Sequence, residues 1–176
     1  GRLGSLFGYQ EYGVEPDVMT LAKGLGYGVP IGAFLSKDYC MALVPGDHGS
    51  TFGGNPLATA AAHAGTKFLI DNDIMAHVKA MEKHLLARLG EVKSRFSFVT
   101  DVRGKGLMQA IELVVDETAG DRTPNKAVTA QLFEQTRERR LLIGGGGLYG
   151  NVIRISPPLT VGPSEVDEAL TVLGES

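Results

Sequence analysis

One of the eight lysines of this chain, Lys23, lies where a side-chain amine could act as a nucleophile. It follows the apolar segment Val18–Ala22 and precedes the glycine-rich loop Gly24–Gly28. Glycine lets the backbone approach a bound molecule closely, and partial desolvation favours the neutral amine that attacks a carbonyl group. A solvated surface amine is the alternative, and it is the interpretation we prefer for the lysines in polar surroundings.

Two other segments contain residues suited to binding anions. The segment Ser50–Pro56 combines hydroxyl groups and glycines directly before a predicted helix, where backbone N–H groups and the helix dipole favour a phosphate. A helix-capping turn is an equally good interpretation of that segment. Arg154 lies in an apolar predicted strand, where it would either bind a substrate carboxylate or form a structural salt bridge.

The elements that must position these residues follow from hydrophobic periodicity. The apolar segment Asp17–Ala22 is either a buried strand end or a helical turn, and Gly32–Leu35 reads more clearly as a buried strand. A helix is predicted from Pro56, with one apolar face that comprises Leu57, Ala60, Ala61, Ala64, Phe68 and Leu69. After a break at Asn72–Asp73, a second helix has the apolar stripe Ile74, Val78, Met81, Leu85 and Leu89.

The rest of the chain alternates strands and helices, which predicts an α/β or α+β architecture. Strands are expected at Phe98–Val102, Leu107–Val115, Leu141–Ile143 and Val152–Ser156. One helix is expected to begin with Thr123 as N-cap and Pro124 at its first position, and a last helix with a capping box at Ser164–Asp167.

Composition argues against several function classes. A net charge of −3 leaves no basic patch for nucleic acid or an anionic membrane. No apolar run approaches the roughly 18 residues of a membrane span, and the histidines are too scattered for a metal site. The single cysteine, Cys40, cannot form an internal disulfide, which suits a reducing compartment; we expect a cytoplasmic protein.

Several segments, taken in order, resemble the class III, ornithine-type, pyridoxal-phosphate aminotransferases. The resemblance extends over essentially the whole chain, and the stretch Gly13–Ala62 is most similar to acetylornithine aminotransferases. The run Asp101–Met108 also resembles alanine–glyoxylate and related ω-aminotransferases. The segments that carry the resemblance are Gly1–Gly4, Pro16–Gly26, Val29–Ala33, Ser50–Pro56, Val102–Met108 and Ile153–Leu159.

The resemblance implies an α/β fold of the pyridoxal-phosphate-dependent transferase type (fold type I, similar to aspartate aminotransferase). Residues 1–70 would form the C-terminal part of the large cofactor-binding domain, residues 71–96 a connecting helix and residues 97–176 a small C-terminal α/β domain. We expect the first part, separated from the parallel sheet to which it belongs in the family, to expose apolar surface and to self-associate.

The resemblance also implies a cofactor, pyridoxal 5'-phosphate, and a role for each candidate residue. Lys23 would hold the cofactor as a Schiff base and act as the catalytic proton shuttle. Thr51, with Ser50 close by, would bind the cofactor phosphate of the neighbouring subunit in a homodimer. Arg154 would bind the α-carboxylate of amino and oxo acid substrates, with N-acetylornithine as donor and 2-oxoglutarate as acceptor, a reaction of arginine biosynthesis.

Two departures from the family pattern are visible. The chain begins without an initiator Met, and in the family an acidic residue that pairs with the pyridine nitrogen precedes the segment matching Gly1. We therefore expect this polypeptide by itself to be a poor or inactive transaminase. A truncated, non-catalytic domain that serves as a structural or dimerisation module is the alternative. The second departure is Tyr27, where relatives often carry glycine, and where an aromatic ring is expected to alter the cofactor entrance.

Overall fold

The computed structural model describes residues 1–176 and contains four α-helices, three short 3-10 helices and seven strands. The helices are α1 (Pro56–Asp71), α2 (Ile74–Arg95), α3 (Lys126–Glu138) and α4 (Pro163–Glu175). The strands are β1 (Val18–Leu21), β2 (Ala33–Ser36), β3 (Val99–Lys105), β4 (Met108–Asp116), β5 (Asp121–Pro124), β6 (Gly144–Gly146) and β7 (Val152–Ile155).

The chain divides into two compact units. One comprises Phe7–Ile74 and is called the hairpin unit here, after its strands β1 and β2. The other comprises Gly1–Leu6 together with Met75–Ser176 and is called the sheet unit. The domain boundaries expected from the sequence, 1–70, 71–96 and 97–176, stay a prediction.

The sheet unit is built around an antiparallel sheet with the strand order β3-β4-β7-β6, in which β5 also pairs with β4. Ile111 and Leu113 of β4 are buried and share one face of the sheet. On that face a single pocket is lined by residues from β4 and from α2, α3 and α4, among them Val92, Leu132 and Leu173. Helices therefore cover one face of this sheet.

The apolar stripe predicted for the second helix is confirmed. Its five residues, which lie on α2, are all buried, at 0–8% exposure: Ile74, Val78, Met81, Leu85 and Leu89. The steps of three and four residues place these side chains on one face of the helix, where their burial contributes to the core.

Three local predictions for this part of the chain are wrong. Asp121–Pro124 forms strand β5, and α3 is capped instead by Asn125, whose Oδ1 accepts a hydrogen bond from the Val128 N–H at 3.1 Å. The glycines 144–146 form strand β6, whereas Leu141–Ile143 lies outside any strand. The last helix begins at Pro163, with Gly162 as N-cap, so Ser164 is already helical.

The first residues of the chain are fixed to the sheet unit by backbone contacts. The Leu107 N–H donates to the Arg2 carbonyl at 2.9 Å, and Arg2 Nη1 donates to the carbonyls of Leu107, at 3.2 Å, and of Pro157. Gly106 has a positive φ of 55°, and a Cβ on it would lie 2.3 Å from the Arg2 carbonyl oxygen. Only glycine allows this close approach.

The hairpin unit contains the antiparallel pair β1–β2 and helix α1. The strand predicted at Gly32–Leu35 is confirmed as β2, and of the two alternatives for Asp17–Ala22 the structure has the strand, β1. The predicted burial is wrong: Val18 is 43% exposed and Phe34 55% exposed, because two strands alone leave most of their surface uncovered. Of the predicted inward face of α1, only Leu69 is buried. The buried residues of the helix are Ala58, Ala62 and Leu69, whereas Leu57 and Phe68 are exposed.

Core packing on α2 should dominate the stability of the sheet unit. Replacing Leu89, which is fully buried, with alanine removes apolar contacts and leaves a cavity, at a cost of about 2–5 kcal/mol in the free energy of unfolding. Urea unfolding followed by circular dichroism measures this loss.

The matched control is Leu142→Ala, because Leu142 is 85% exposed. We expect this variant to stay within about 0.5 kcal/mol of the unaltered chain. Equal destabilisation by both substitutions would contradict the assignment of Leu89 to the core.

Candidate functional site

Lys23 lies at the start of a short 3-10 helix, Lys23–Gly26, that directly follows strand β1. Its backbone is in the left-handed region, with a φ of 53°, and it is the only lysine of the chain in that conformation. A non-glycine residue held there costs on the order of 1 kcal/mol or more, so the surrounding structure must maintain it. Such positions occur preferentially at functional sites.

The Lys23 side chain is exposed, and its amine has no hydrogen-bond or ion-pair partner within the chain. The expectation that its amine emerges from apolar packing is therefore wrong for this chain, since the preceding strand β1 is itself only half covered. No side chain of the chain competes for the amine, so it is accessible to a carbonyl compound from outside.

Ser50 and Thr51 lie in the same unit as Lys23, in the exposed turn before α1. Ser50 Oγ accepts a hydrogen bond from the Gly53 N–H at 3.0 Å, and Asn55 Oδ1 caps the helix by accepting from the Ala58 N–H at 3.0 Å. The turn therefore caps the helix with its own side chains. Of the two hydroxyl groups, that of Thr51 makes no hydrogen bond within the chain.

Arg154 lies in the sheet unit, on the face of the sheet opposite to that of Ile153 and the helices. It forms part of a row across four strands, in which Arg103 pairs with Ala110, Ala110 with Arg154 and Arg154 with Gly144. A Cβ on Gly144 would lie 3.3 Å from the Nε and Nη2 atoms of Arg154. Glycine at this position leaves room for the guanidinium group over β6.

The two arginines of this row differ in their charge partners. Arg103 is 2.7 Å from Asp101 and 2.6 Å from Glu112, and hydrogen bonds to these two carboxylates raise the pKa of Arg103 above its ordinary value. Arg154 has no carboxylate within ion-pair distance in this chain. The structural salt bridge that the sequence left open for Arg154 is thus absent, and its charge is available to an external anion.

An open groove of about 430 Å³ runs along this face of the sheet. Its lining includes Arg103, Met108, Gly146, Val152 and Arg154. The groove combines one unpaired cation with apolar walls, and this combination suits a small carboxylic acid that also has an aliphatic portion.

A polar cluster holds the ends of the hairpin that leads to Lys23. Lys37 Nζ lies 3.2 Å from Glu15 and 3.3 Å from Asp17, and the Tyr39 hydroxyl donates a hydrogen bond to Asp17. The bond from Tyr39, and a second one from Lys37, lower the pKa of the Asp17 carboxyl, while the bond to Asp17 raises the pKa of Tyr39. The cluster ties β1 to the residues that follow β2.

Sequence reasoning did not single out two residues that shape these sites. Arg2 was noted only as part of a motif, yet its guanidinium holds the carbonyl of Pro157, three residues after Arg154. Gly65 lies in the middle of α1, where a Cβ would come within 2.1 Å of the Tyr27 ring. A lone glycine inside an alanine-rich helix is the signal that could have drawn attention to Gly65.

The structure contains no group of three or more His, Cys, Asp or Glu side chains arranged to hold a metal ion. None of its helices combines the length and the apolar character that a membrane span requires.

Comparison with known proteins gives consistent matches over the full chain. A family model described as aminotransferase class-III matches residues 1–175. The acetylornithine aminotransferase of Clostridium acetobutylicum is 42% identical over 178 residues, which cover 100% of this chain and 42% of that protein. The acetylornithine aminotransferase of Gloeobacter violaceus is 44% identical over 174 residues, covering 98% of this chain and 40% of that protein.

Solved structures agree with these sequence matches. A Bacillus anthracis aminotransferase superposes with a TM-score of 0.90 at 30% identity, covering 99% of this chain and 41% of that one. The acetylornithine aminotransferase of Elizabethkingia anophelis gives a TM-score of 0.85 at 31% identity, covering 99% of this chain and 42% of that one. The predicted fold class is confirmed, and the chain spans about two fifths of the length of these relatives.

Class III aminotransferases depend on pyridoxal phosphate, and the residues described above fit that group. Lys23 offers an accessible primary amine with no competing partner, as an aldehyde cofactor requires. Thr51 offers an unused hydroxyl in a glycine-containing turn that could meet a phosphate oxygen.

The polar cluster at the base of the hairpin should respond to acid. Because the folded-state pKa of Asp17 is lowered, its stabilising contribution is present above the ordinary value of 3.8 and is lost as the pH falls through the folded-state pKa. Replacing Tyr39 with phenylalanine removes the largest cause of the shift, so the pKa of Asp17 should rise towards 3.8. Titration of the Asp17 carboxyl carbon by NMR measures this change.

Tyr149→Phe is the control, because Tyr149 is exposed and makes no hydrogen bond through its hydroxyl. An Asp17 titration curve that is the same in Tyr39→Phe and in the control would show that the hydrogen bond has no electrostatic effect.

Proposed function

Because this chain belongs to the class III aminotransferase family, we propose that it provides the cofactor-binding lysine and the carboxylate-binding arginine of an acetylornithine-type aminotransferase. The reaction is the transfer of an amino group from an ω-amino donor, N-acetylornithine, to a 2-oxo acid such as 2-oxoglutarate. The observation that carries this proposal is the conformation of Lys23, an unpaired amine on left-handed backbone at the mouth of a glycine-rich turn.

Lys23 Nζ is the atom that binds the cofactor aldehyde. Pyridoxal phosphate, when bound, supplies a ring that accepts electron density from the carbon bearing the reacting amino group. The Lys23 amine would act as the general base and acid that moves the proton from that substrate carbon to the carbon of the cofactor aldehyde. Four of the nine residues in Gly24–Gly32 are glycines, which leave space for this movement.

Thr51 binds the phosphate group, with Ser50 as the residue that shapes the turn. The hydrogen bond from the Gly53 N–H to Ser50 Oγ fixes the loop and leaves the Thr51 hydroxyl free to donate. In the proposed homodimer, Thr51 serves the site of the neighbouring subunit. The exposed apolar residues of the hairpin unit, including Leu57 and Phe68 on α1, are consistent with a covered surface in such a dimer.

Arg154 binds the α-carboxylate that amino acid and oxo acid substrates share. Its planar guanidinium can donate two parallel hydrogen bonds to a carboxylate, and no carboxylate of the chain competes for it. One arginine can therefore orient both the donor and the acceptor in the two halves of a transamination.

The choice of N-acetylornithine as donor is supported by the curated relatives, which carry the name acetylornithine aminotransferase at 42% and 44% identity. Alanine–glyoxylate, ornithine and 4-aminobutyrate transfer are the competing reactions. A panel of amino donors distinguishes these reactions. Each donor is added to the longest protein that contains this sequence, and the absorbance change of the first half-reaction is measured. Faster reaction of another donor would exclude N-acetylornithine as the substrate.

The role of Lys23 can be tested by adding pyridoxal phosphate to the chain, reducing with borohydride and locating adducts by peptide mass spectrometry. We expect Lys23 to be labelled above every other lysine, because its glycine-rich turn lets a bound molecule approach the backbone closely.

Lys83→Ala is the matched control, since Lys83 is also exposed and lies on the outer side of α2. It should leave labelling unchanged, while Lys23→Ala should abolish the dominant adduct. Labelling of Lys83, Lys93 and Lys126 to the same extent as Lys23 would contradict a cofactor role for Lys23 in this chain.

The role of Arg154 predicts a selective loss of affinity for acids. Arg154→Ala removes hydrogen bonds to a charged group worth about 1.5–3 kcal/mol, so KM for 2-oxoglutarate should rise by about tenfold to a hundredfold. Kinetics in the longest protein that carries this sequence measure the change.

Arg137→Ala is the control, because the Arg137 guanidinium is already paired with Glu134 at 2.7 Å. We expect it to leave KM unchanged. A KM for 2-oxoglutarate that is insensitive to Arg154→Ala would remove Arg154 from the substrate site.

A further inference from the structure

The turn that carries Lys23 contains a second residue in the left-handed region. Tyr27, which ends the 3-10 helix, has a φ of 50°, close to the 53° of Lys23. Two such non-glycine residues four positions apart are unfavourable in isolation, so tertiary contacts must hold them.

The ring of Tyr27 supplies such a contact on helix α1. A Cβ built on Gly65 would lie 2.1 Å from both Cδ2 and Cε2 of that ring, a distance that no real side chain could tolerate. The ring therefore lies directly on the backbone of α1, at a place where the helix has no side chain. Both residues belong to the hairpin unit.

The opposite side of the turn is also closely packed. Gly26 is buried, and a Cβ on it would lie 3.0 Å from Cγ2 of Ile31. Three successive backbone hydrogen bonds complete the turn, with distances of 3.0–3.3 Å: Leu25 N–H to Ala22, Tyr27 N–H to Gly24 and Val29 N–H to Gly26.

We propose that Tyr27 and Gly65 form a ring-on-glycine lock that holds the turn against α1 and thereby sets the position of Lys23. Tyr27 is a positioning residue in this proposal, because it acts on the cofactor through Lys23. The inference rests on the proposed role of Lys23, but the lock itself is a property of the turn. The Tyr27 hydroxyl makes no hydrogen bond in the structure, so the ring alone carries the contact.

The contact between Tyr27 and Gly65 can be removed by substituting either residue. Tyr27→Ala removes the ring and keeps a non-glycine residue in the left-handed region, while Gly65→Leu displaces the ring. Leucine favours helix more than glycine does, so Gly65→Leu preserves α1. The double variant Tyr27→Ala/Gly65→Leu places the leucine side chain in the volume that the ring vacates.

Two measurements apply to each variant. Amide hydrogen exchange at Leu25 and Val29 reports on the turn without any cofactor, and borohydride trapping with pyridoxal phosphate reports on Lys23. We expect each single variant to speed exchange by about tenfold, equivalent to about 1.4 kcal/mol, and to lower the Lys23 adduct. The double variant should recover part of both losses.

Two controls separate the lock from general effects. Tyr27→Phe keeps the ring and should match the unaltered chain. Gly90→Leu changes a glycine in the middle of α2 where a Cβ meets nothing within 4 Å, and it should also have no effect.

The lock would be overturned if the amide exchange rates at Leu25 and Val29 were the same in Gly65→Leu, Tyr27→Ala and Gly90→Leu. This holds whatever the extent of Lys23 labelling. Faster exchange with unchanged Lys23 labelling would overturn the claim that the lock positions Lys23. Faster exchange in variants of a chain that never forms a Lys23 adduct would support the lock and count against the proposed function instead.

Discussion

The sheet unit depends on the burial of one face of strand β4 beneath three helices. Ile111 and Leu113 supply that face, and residues of α2, α3 and α4 meet them in a common apolar region. Burial of apolar surface is the main favourable term in folding, so the helices must all lie on this side. The other face is covered less completely: Met108 and Arg154 are exposed there, whereas Val114 and Val152 are buried. Arg154 is accessible because the helices lie on the opposite face of the sheet.

The hairpin unit is held by a different balance of interactions. Its strands and helix expose several large apolar residues, among them Phe34, Phe52 and Leu57, so buried area contributes less here. Local contacts have a larger share: the Asp17 cluster at the base of the hairpin, the Asn55 cap and the packing of Tyr27 on Gly65. The exposed apolar surface agrees with the expectation from the sequence, while self-association of the chain stays a prediction.

The sequence allowed α2 to be predicted, whereas the role assigned to Lys23 stays a prediction, and the reasons differ. A stripe of five apolar residues at helical spacing has one physical solution, whereas Lys23 was identified by its neighbours and by a family motif. The face of α1 could not be predicted, because alanines occur all around that helix and periodicity cannot choose between them. The caps at Asn125 and Gly162 were missed because Thr123 and Ser164 lie close by and are also residue types that favour the N-cap position.

The residue types alone do not show which arginine has a charge that is available to a ligand. Arg103 and Arg154 flank Ala110 in the same row of the sheet, and Glu112 is the nearest carboxylate on the strand between them. Arg103 has this carboxylate and Asp101 as partners, while the β6 neighbour of Arg154 is a glycine. Exposed ion pairs of this kind contribute little to stability. The strand register therefore matters here chiefly because it decides which arginine keeps an available charge.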